Sequence, residues 1–470
     1  MFKGLWGYEY MTRVSVGLLA AVCYSVVFGQ AQAMSLREAV QQAVLTNPRI
    51  EAAQASQRAS RYGLDQARGR LFPEIELNAD TGAQRIDRPN GLGPDVNDQW
   101  NNRRQVTLSV RQVLFDGWDR ANDIYRSQAT ISAESYRVLV RSEVVGLSSV
   151  EAYIDVVRHN DLLALAQDNV RRHQALLRII RERFEGGKSP IGDLEQTVER
   201  VEAAKALVAQ IKVAQAAAHA KFKNAVGISP SQLHSVTYAK GIPKSVEEVT
   251  SLALHNNPRV MAALADTDAT FFEQQQFRST LLPQVYLEGN ATRGEDLEGT
   301  PGRNDEYGAR VVLRWKLFDG GVRRSRVSEL GERHSEKIAE QLILGRQLTE
   351  EVEVSWARLV DGRAQVEAVR RESDQDAKVV ATYKDEYNAN KRSLLDVLDA
   401  ENARFNTQFE LSNIEALHVF SSYELLALMG KLLESLDVNA PHIAELESGP
   451  LPSIFQSSSK GYTIPSLSQK

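Results

Sequence analysis

The feature that most constrains the fold of this chain is an internal tandem repeat in its sequence. Residues 35–50 read SLREAVQQAVLTNPRI and residues 245–260 read SVEEVTSLALHNNPRV, an ungapped match. Three further pairs recur in the same order: LFPEIELN with LLPQVYLE, LFDG with LFDG, and FEGGKSPIGDLEQ with YNANKRSLLDVLD. The pairs lie roughly 200 residues apart, as an internal duplication predicts. We therefore expect two structural repeats, 34–240 and 241–440, built on the same plan.

Each repeat is predicted to begin with two helices and to continue with two strands. Asn-Pro separates the helices, because Asn caps a helix and Pro occupies its first position. The second helix covers Pro48–Arg70 in one repeat and Pro258–Leu281 in the other. Four segments alternate with a period of two residues, which is typical of strands: EIELNADTGAQRI, RRQVTLSVRQVLF, QVYLEGNATRG and EYGARVVLRWKLF.

A very long helix follows the strands in each repeat. Between Trp118 and Phe184 there is no proline, and apolar residues recur about every 3.5 positions, which is the coiled-coil period. About 67 residues of helix span roughly 100 Å. The apolar stripe needs an antiparallel partner, which Ile191–Gly227 and Pro48–Leu71 can supply if they stack end to end. The second repeat has the same pattern from about Gly321 to Tyr387.

These elements predict a mainly helical fold with a small β part, in which helical coiled-coil hairpins carry strands at one end. Two repeats give four strands, and the smallest membrane barrels have about eight. An open sheet edge is not tolerated in lipid, so strands that enter a membrane require association of several chains. Three chains would form a twelve-stranded β-barrel continuous with a tube of twelve helices.

The N-terminus is typical of an exported protein. Basic residues precede the uncharged run VSVGLLAAVCYSVVFG, and AQA follows, so residues 1–33 are interpreted as a cleaved signal peptide. The one cysteine, Cys23, lies in this segment, which leaves no disulfide for the mature chain. At the other end, residues 441–470 are rich in Ser, Pro and Gly and are expected to be disordered.

The motifs of common enzyme classes are missing from the sequence. We find no HExxH, no P-loop, no GxGxxG that opens a helix and no GxSxG elbow. The eight histidines have no metal-ligand spacing, and the formal net charge of −5 does not favour nucleic-acid binding. We therefore expect a protein that is not an enzyme and has no cofactor, metal or nucleic-acid partner.

The segment NKRSLLDVLDAEN of the second repeat contains two carboxylates, Asp396 and Asp399, on one face of a predicted helix. Ser393 can cap this helix with Asp396 completing a capping box, which would leave Asp399 unexplained. A metal pair is a second alternative. A third is that each carboxylate forms a ring of three around the axis of a trimer, where it would favour cations.

The signal peptide, the NPRI and NPRV pair, the LFP and LLP strand entries, the two LFDG turns and DVLDAEN together resemble the TolC family of outer-membrane efflux channels. The resemblance covers about residues 35–430. It implies a homotrimer in the outer membrane with a long periplasmic α-helical barrel. It also implies two partners, a periplasmic adaptor and an inner-membrane transporter, and export without catalysis.

The resemblance also implies roles for residues at the far tips of the helices. Asp396 and Asp399 would form acidic rings at the narrow entrance, and polar bonds among Tyr387, Arg392 and Asp193 would hold this periplasmic gate closed. The two turns would contact adaptor tips through Gly186, Gly187, Lys188, Asn390 and Lys391. The first turn departs from the usual apolar tip in having Lys188, Ser189 and Pro190, which leaves the adaptor's identity open.

Within the family, the sequence is more similar to the branch that serves type I protein secretion, with an ABC-type transporter. The alternatives are multidrug efflux, with a transporter of the RND type, and a purely structural periplasmic coiled-coil protein. Four aromatic residues near the strands are interpreted either as an interfacial girdle or as ordinary packing: Trp100, Tyr286, Tyr307 and Trp315.

Overall fold

The structure, a computed structural model, describes residues 33–87, 98–299 and 301–441. Apart from Ala33 and Pro441, the predicted signal peptide and tail lie outside these residues. The first repeat contains α1 (Leu36–Thr46), α2 (Pro48–Gly69), β1 (Glu74–Ile86), β2 (Gln99–Phe115), α3 (Asp119–Glu185) and α4 (Ile191–Val226). The second contains α5 (Val246–Asn256), α6 (Pro258–Arg278), β3 (Gln284–Glu295), β4 (Arg303–Arg314), α7 (Val322–Asn388), α8 (Leu394–Leu428) and α9 (Leu432–Ser435).

The predicted element order and duplication are confirmed, while the division at residues 240 and 241 stays a prediction. The helices α3 and α7 each have 67 residues, and each forms an antiparallel hairpin with the return helix that follows it. α3 also packs against α6 and α8, so it joins the two repeats. No helix in the described ranges contains a stretch long and apolar enough to cross a membrane.

The helix starts are set by the same residues in both repeats. Ser35 forms a capping box with Glu38 at α1. Asn47 and Asn257 cap α2 and α6 with their side-chain oxygens, and each is followed by proline at the first helical position. The amide of Asn47 also donates to the carbonyl of Ala225 at 3.2 Å, and that of Asn257 to the carbonyl of Leu428 at 2.8 Å. Each asparagine therefore ties the start of one helix to the end of another.

The four strands form one antiparallel sheet in the order β1-β2-β3-β4, with the repeats joined at β2 and β3. The register places mainly apolar side chains on one face and mainly polar side chains on the other. The apolar face includes Ile75, Leu77, Val106, Leu108, Leu287, Val311 and Leu313. The polar face includes Glu76, Asn78, Thr107, Arg111, Glu288, Asn290 and Arg310. This division is what a sheet with lipid on one side and water on the other requires.

One strand is shorter than predicted. The fourth strand was expected to run to Phe318 but ends at Arg314, opposite the first residue of β3, Gln284. Pro283 precedes that residue and lacks the N–H group that would extend the ladder. Leu317 and Phe318 are left 77% and 86% exposed in the single chain.

The four aromatic residues near the strands do not share one environment. Tyr286 lies on the polar face, is buried, and has the guanidinium of Arg111 4.1 Å from its ring centre. Packing therefore explains Tyr286, and the girdle interpretation fails for it. Trp100 and Tyr307 lie on the apolar face and are exposed, and Trp315 is exposed just after β4.

Candidate functional site

The turns at the far ends of the two hairpins have nearly the same backbone. Gly187 and Asn390 adopt left-handed φ values of 68° and 56°. The next amide closes each turn: Lys188 donates to the carbonyl of Arg183 at 2.7 Å, and Lys391 to that of Glu386 at 2.8 Å. This is the pattern by which a helix ends in a left-handed residue. The five predicted adaptor-contact residues are all exposed at these turns: Gly186, Gly187, Lys188, Asn390 and Lys391.

An apolar cluster lies directly behind the turns and holds the two hairpins together. Its buried members are Leu176, Ile180, Tyr387, Leu394, Val397 and Leu398, with Leu194 and Tyr383 packed against them. These residues come from α3, α4, α7 and α8. Side chains at the tips are therefore positioned by packing between repeats rather than by one hairpin alone.

Asp396 forms the capping box that the sequence suggested. Its backbone N–H donates to the Oγ of Ser393 at 3.2 Å, and its carboxylate accepts from the N–H of Ser393 at 3.3 Å. The guanidinium of Arg392 lies 3.7 Å from the same carboxylate. Helix capping therefore accounts for the position of Asp396 within one chain.

Asp399 has a different partner, one that the sequence analysis missed. The guanidinium of Arg200, on α4, lies 3.6 Å from its carboxylate. The aspartate side chain is 60% exposed, so the pair is largely in water and is worth about 1 kcal/mol or less. The contact nevertheless joins the return helices of the two repeats.

Arg392 does not meet Asp193 within the chain. Its guanidinium donates to the carboxylate of Glu386 at 2.5 Å and stacks over the ring of Tyr383 at 3.7 Å. The hydrogen bond to Glu386 raises the pKa of Arg392 above its usual value. Among the described residues, no hydrogen bond or ion pair connects the Asp193 side chain with Arg392 or Tyr387. The predicted gate bonds would therefore have to form between chains.

Tyr387 is buried, and Arg183 connects it to the turn. The guanidinium of Arg183 lies 4.7 Å from the centre of the Tyr387 ring and donates to the side-chain oxygen of Asn390 at 2.5 Å. Arg183 belongs to the first hairpin and Asn390 to the turn of the second. The sequence gives no signal for this contact, because 207 positions separate the two residues.

The site offers charge and packing rather than reactive groups. Within the described ranges, no three His, Cys, Asp or Glu side chains are grouped so that they could hold a metal ion. The buried apolar cluster and the exposed ion pair between the return helices both connect the two helical hairpins at their tips.

Long helical hairpins with a four-stranded sheet at the opposite end define the class of outer-membrane channels that continue into an α-helical barrel. A family model described as "Outer membrane efflux protein" matches residues 39–228 and again 249–431. The chain belongs to this family, which is the family of TolC. Its members are channels and not enzymes, and they act in the outer membrane with a long periplasmic extension. The alternative of a purely structural coiled-coil protein is therefore wrong.

Two curated relatives and one solved structure illustrate the match. Outer membrane efflux protein BepC of Brucella suis is 24% identical, over 88% of this chain and 90% of the relative. Alkaline protease secretion protein AprF of Pseudomonas aeruginosa is 24% identical, over 81% of each chain. The Campylobacter jejuni CmeC outer membrane channel superposes with a TM-score of 0.75 at 15% identity, covering 84% of this chain and 86% of that one. The fold class is thereby confirmed as that of trimeric TolC-type channels.

Proposed function

We propose that three copies of this chain form the outer-membrane exit duct of a type I protein secretion system. The observation that best supports a duct is the distance between the sheet at one end of the chain and the helical turns at the other. A sheet with one apolar and one polar face lies at one end, and exposed basic turns lie roughly 100 Å away at the other. Within the part of the chain that the structure describes, the outer strands β1 and β4 each have a free edge, which supports closure by neighbouring copies.

Type I secretion is supported by the relative AprF, whose name describes secretion of an alkaline protease. BepC is named as an efflux protein, which keeps multidrug efflux as the second candidate. In the first case the inner-membrane transporter would be of the ABC type, and in the second of the RND type. In both cases a periplasmic adaptor would contact the two exposed turns.

We infer that the tips of the helical tube form its gate. Asp396 and Asp399 of three chains would line the narrow entrance, and like charges around one axis would favour cations. Arg392, Tyr387 and Asp193 would act across chain boundaries, since among the described residues of one chain no hydrogen bond or ion pair joins the Asp193 side chain to the other two. Arg200 joins this set because it holds Asp399, and Arg183 joins it because it holds Asn390.

Deletion of the gene tests the choice between the two candidates. Type I secretion predicts the loss of one large secreted protein with unchanged sensitivity to antibiotics, dyes and detergents. Multidrug efflux predicts the reverse result. Complementation with the wild-type chain is the control, and fractionation should place the protein in outer membranes as a trimer. A soluble monomer would reject both candidates.

A further inference from the structure

A groove of about 640 Å³ lies where the strands meet the helices, between the two repeats. Trp118 and Tyr125 of α3 and its preceding turn form one wall, while Leu281, Leu282 and Arg278 form the other. The walls approach closely at Gly117, where an added Cβ would lie 2.9 Å from the Cβ of Leu282. The groove is mostly apolar, and Arg278 is the one charged residue in its lining.

The contacts of Trp118 place the groove on the apolar side of the sheet. Its ring packs edge-on against Phe115, with ring centres 5.5 Å apart. Phe115 is opposite Val285 in the register, and directly opposed residues of an antiparallel pair share a face. Val285 in turn shares a face with Leu287, on the apolar side. The groove therefore continues that side at its helical end.

The backbone holds Trp118 in an unusual conformation. Its φ of 70° is left-handed, which L-residues other than glycine rarely adopt. The side-chain amide of Asn122 donates to the Trp118 carbonyl at 2.9 Å and stabilises the turn. The indole is nevertheless 62% exposed. A strained turn that presents a tryptophan to solvent is expected where the indole has a partner outside the chain.

Arg278 supplies the charge complementarity. Its guanidinium is exposed at the end of α6 and has no hydrogen-bond or ion-pair partner among the described residues. Neighbouring arginines are neutralised in pairs, for example Arg120 with Asp116 at 2.5 Å. An uncompensated cation beside an apolar groove suits a ligand with an anionic head and an apolar tail.

The second repeat lacks the aromatic residues that line this groove. Alignment of the two LFDG turns makes Gly321 equivalent to Trp118 and Ser328 equivalent to Tyr125. The aromatic wall is therefore present once per chain, at the junction within the chain and not at the junction between chains. An aromatic wall that served only to close the barrel would be expected at both junctions.

We propose that this groove binds an anionic phospholipid of the periplasmic leaflet of the outer membrane. Arg278 binds the phosphate group, the indole of Trp118 lies at the level of the headgroups, and an acyl chain covers Leu281 and Leu282. The proposal rests on the membrane-spanning role proposed for the strands. Each trimer would then carry one such lipid per chain.

Native mass spectrometry of the delipidated trimer tests the proposal by titration with phosphatidylglycerol and with phosphatidylcholine. The wild type should bind phosphatidylglycerol about fivefold more tightly than phosphatidylcholine, because the choline cation already neutralises the phosphate that Arg278 would bind. Arg278→Gln should abolish this preference. Trp118→Ala should weaken both lipids alike, because the indole contacts no charge. Arg371→Gln, an equal change of charge at an exposed position of α7 toward the tips, is the matched control and should behave as the wild type.

Equal binding of the two lipids by the wild type, or an unchanged preference in Arg278→Gln, would overturn the proposal. Only variants recovered as trimers from outer membranes are compared, so a folding defect cannot imitate a loss of lipid. If the wild type is not a membrane trimer, the proposed function fails. A membrane trimer that shows no lipid preference would overturn the lipid-binding proposal and leave the proposed function standing.

Discussion

At the scale of single residues, Glu143 is the clearest case of a carboxyl group in an unfavourable place. It lies on α3 beside Gly146. The C-terminal segment, residues 432–438, packs so closely here that a Cβ added to Gly146 would lie 2.9 Å from the side chain of Leu433. Burial raises the pKa of Glu143 to about 7, although the nearby backbone N–H groups of Leu433 and Leu432 act to lower it. Its Oε2 has no partner among the described residues, and the charge of Glu434 raises the pKa further.

Because the pKa is raised, Glu143 stays protonated with the C-terminal segment packed at pH values at which it is ionised with the segment detached. Attachment of the C-terminal segment should therefore weaken as pH rises from about 4.5 to about 7, by on the order of 3 kcal/mol in total. Hydrogen exchange at residues 432–438, corrected for intrinsic pH dependence, measures this change. Glu143→Gln should remove the pH dependence, and Glu151→Gln, an exposed change on the same helix, should keep it. Equal slopes for wild type and Glu143→Gln would contradict the prediction.

Asp399 permits a residue-level test of two accounts of the gate. If the Arg200–Asp399 pair restrains the tips, Arg200→Gln and Asp399→Asn should each raise single-channel conductance in lipid bilayers. The double variant should then resemble either single variant, because both remove one shared contact. If Asp399 acts only as part of an acidic ring, Asp399→Asn alone should weaken block by multivalent cations, and Arg200→Gln should not.

At the scale of elements, the helices were the most predictable part of the chain. Proline, glycine and Asn-Pro steps mark their ends, so α3 and α4 begin and end within one residue of the predicted bounds. The end of β4 was missed because it depends on Pro283, the residue just before the partner strand β3. The pairs Arg200–Asp399 and Arg183–Asn390 were missed because coiled-coil packing of separate repeats brings their residues together. Local patterns therefore predict elements better than contacts between them.

The duplicated asparagine caps allow a prediction about how elements are joined. Asn257 is 3% exposed and Asn47 more so, although both cap a helix and donate to a distant carbonyl. Replacement by alanine removes both bonds, and water replaces the lost amide less readily at the buried Asn257 than at the partly exposed Asn47. Asn257→Ala should therefore cost about 2 kcal/mol and Asn47→Ala about 1 kcal/mol.

Denaturant unfolding of the solubilised protein measures the effect of the two caps. Replacement by aspartate is the matched control, since it keeps the capping oxygen but removes the amide donor. Asn47→Asp should lie between Asn47→Ala and the wild type, whereas at the buried Asn257 the carboxylate would face the Leu428 carbonyl and should gain nothing over alanine. A larger loss for Asn47→Ala than for Asn257→Ala would contradict this account.

At the scale of the whole molecule, we predict that the junction between repeats is a template for the junction between chains. Within the chain, Gln112 is opposite Leu287, and Val110 is opposite Gly289. Alignment of the LFDG turns and of the LFP and LLP entries converts these pairs into Trp315 with Leu77, and Leu313 with Ala79, of the next chain. The derived pairs lie on the apolar face, as a closed barrel requires. The next derived pair places Lys316 opposite Glu76 on the polar face.

This register predicts a specific covalent trimer. Directly opposed residues on neighbouring strands have Cβ atoms about 4.5–5.5 Å apart, close enough for oxidation of two cysteines to a disulfide with small shifts. Leu313→Cys combined with Ala79→Cys should therefore yield linked trimers on non-reducing gels. The only native cysteine, Cys23, lies in the predicted signal peptide and gives no background. Leu313→Cys with Asn78→Cys is the control, because Asn78 points to the opposite face and should link poorly. Monomers from the first pair, or stronger linking by the control, would mean that the chains meet in another register and that the internal junction is not their template.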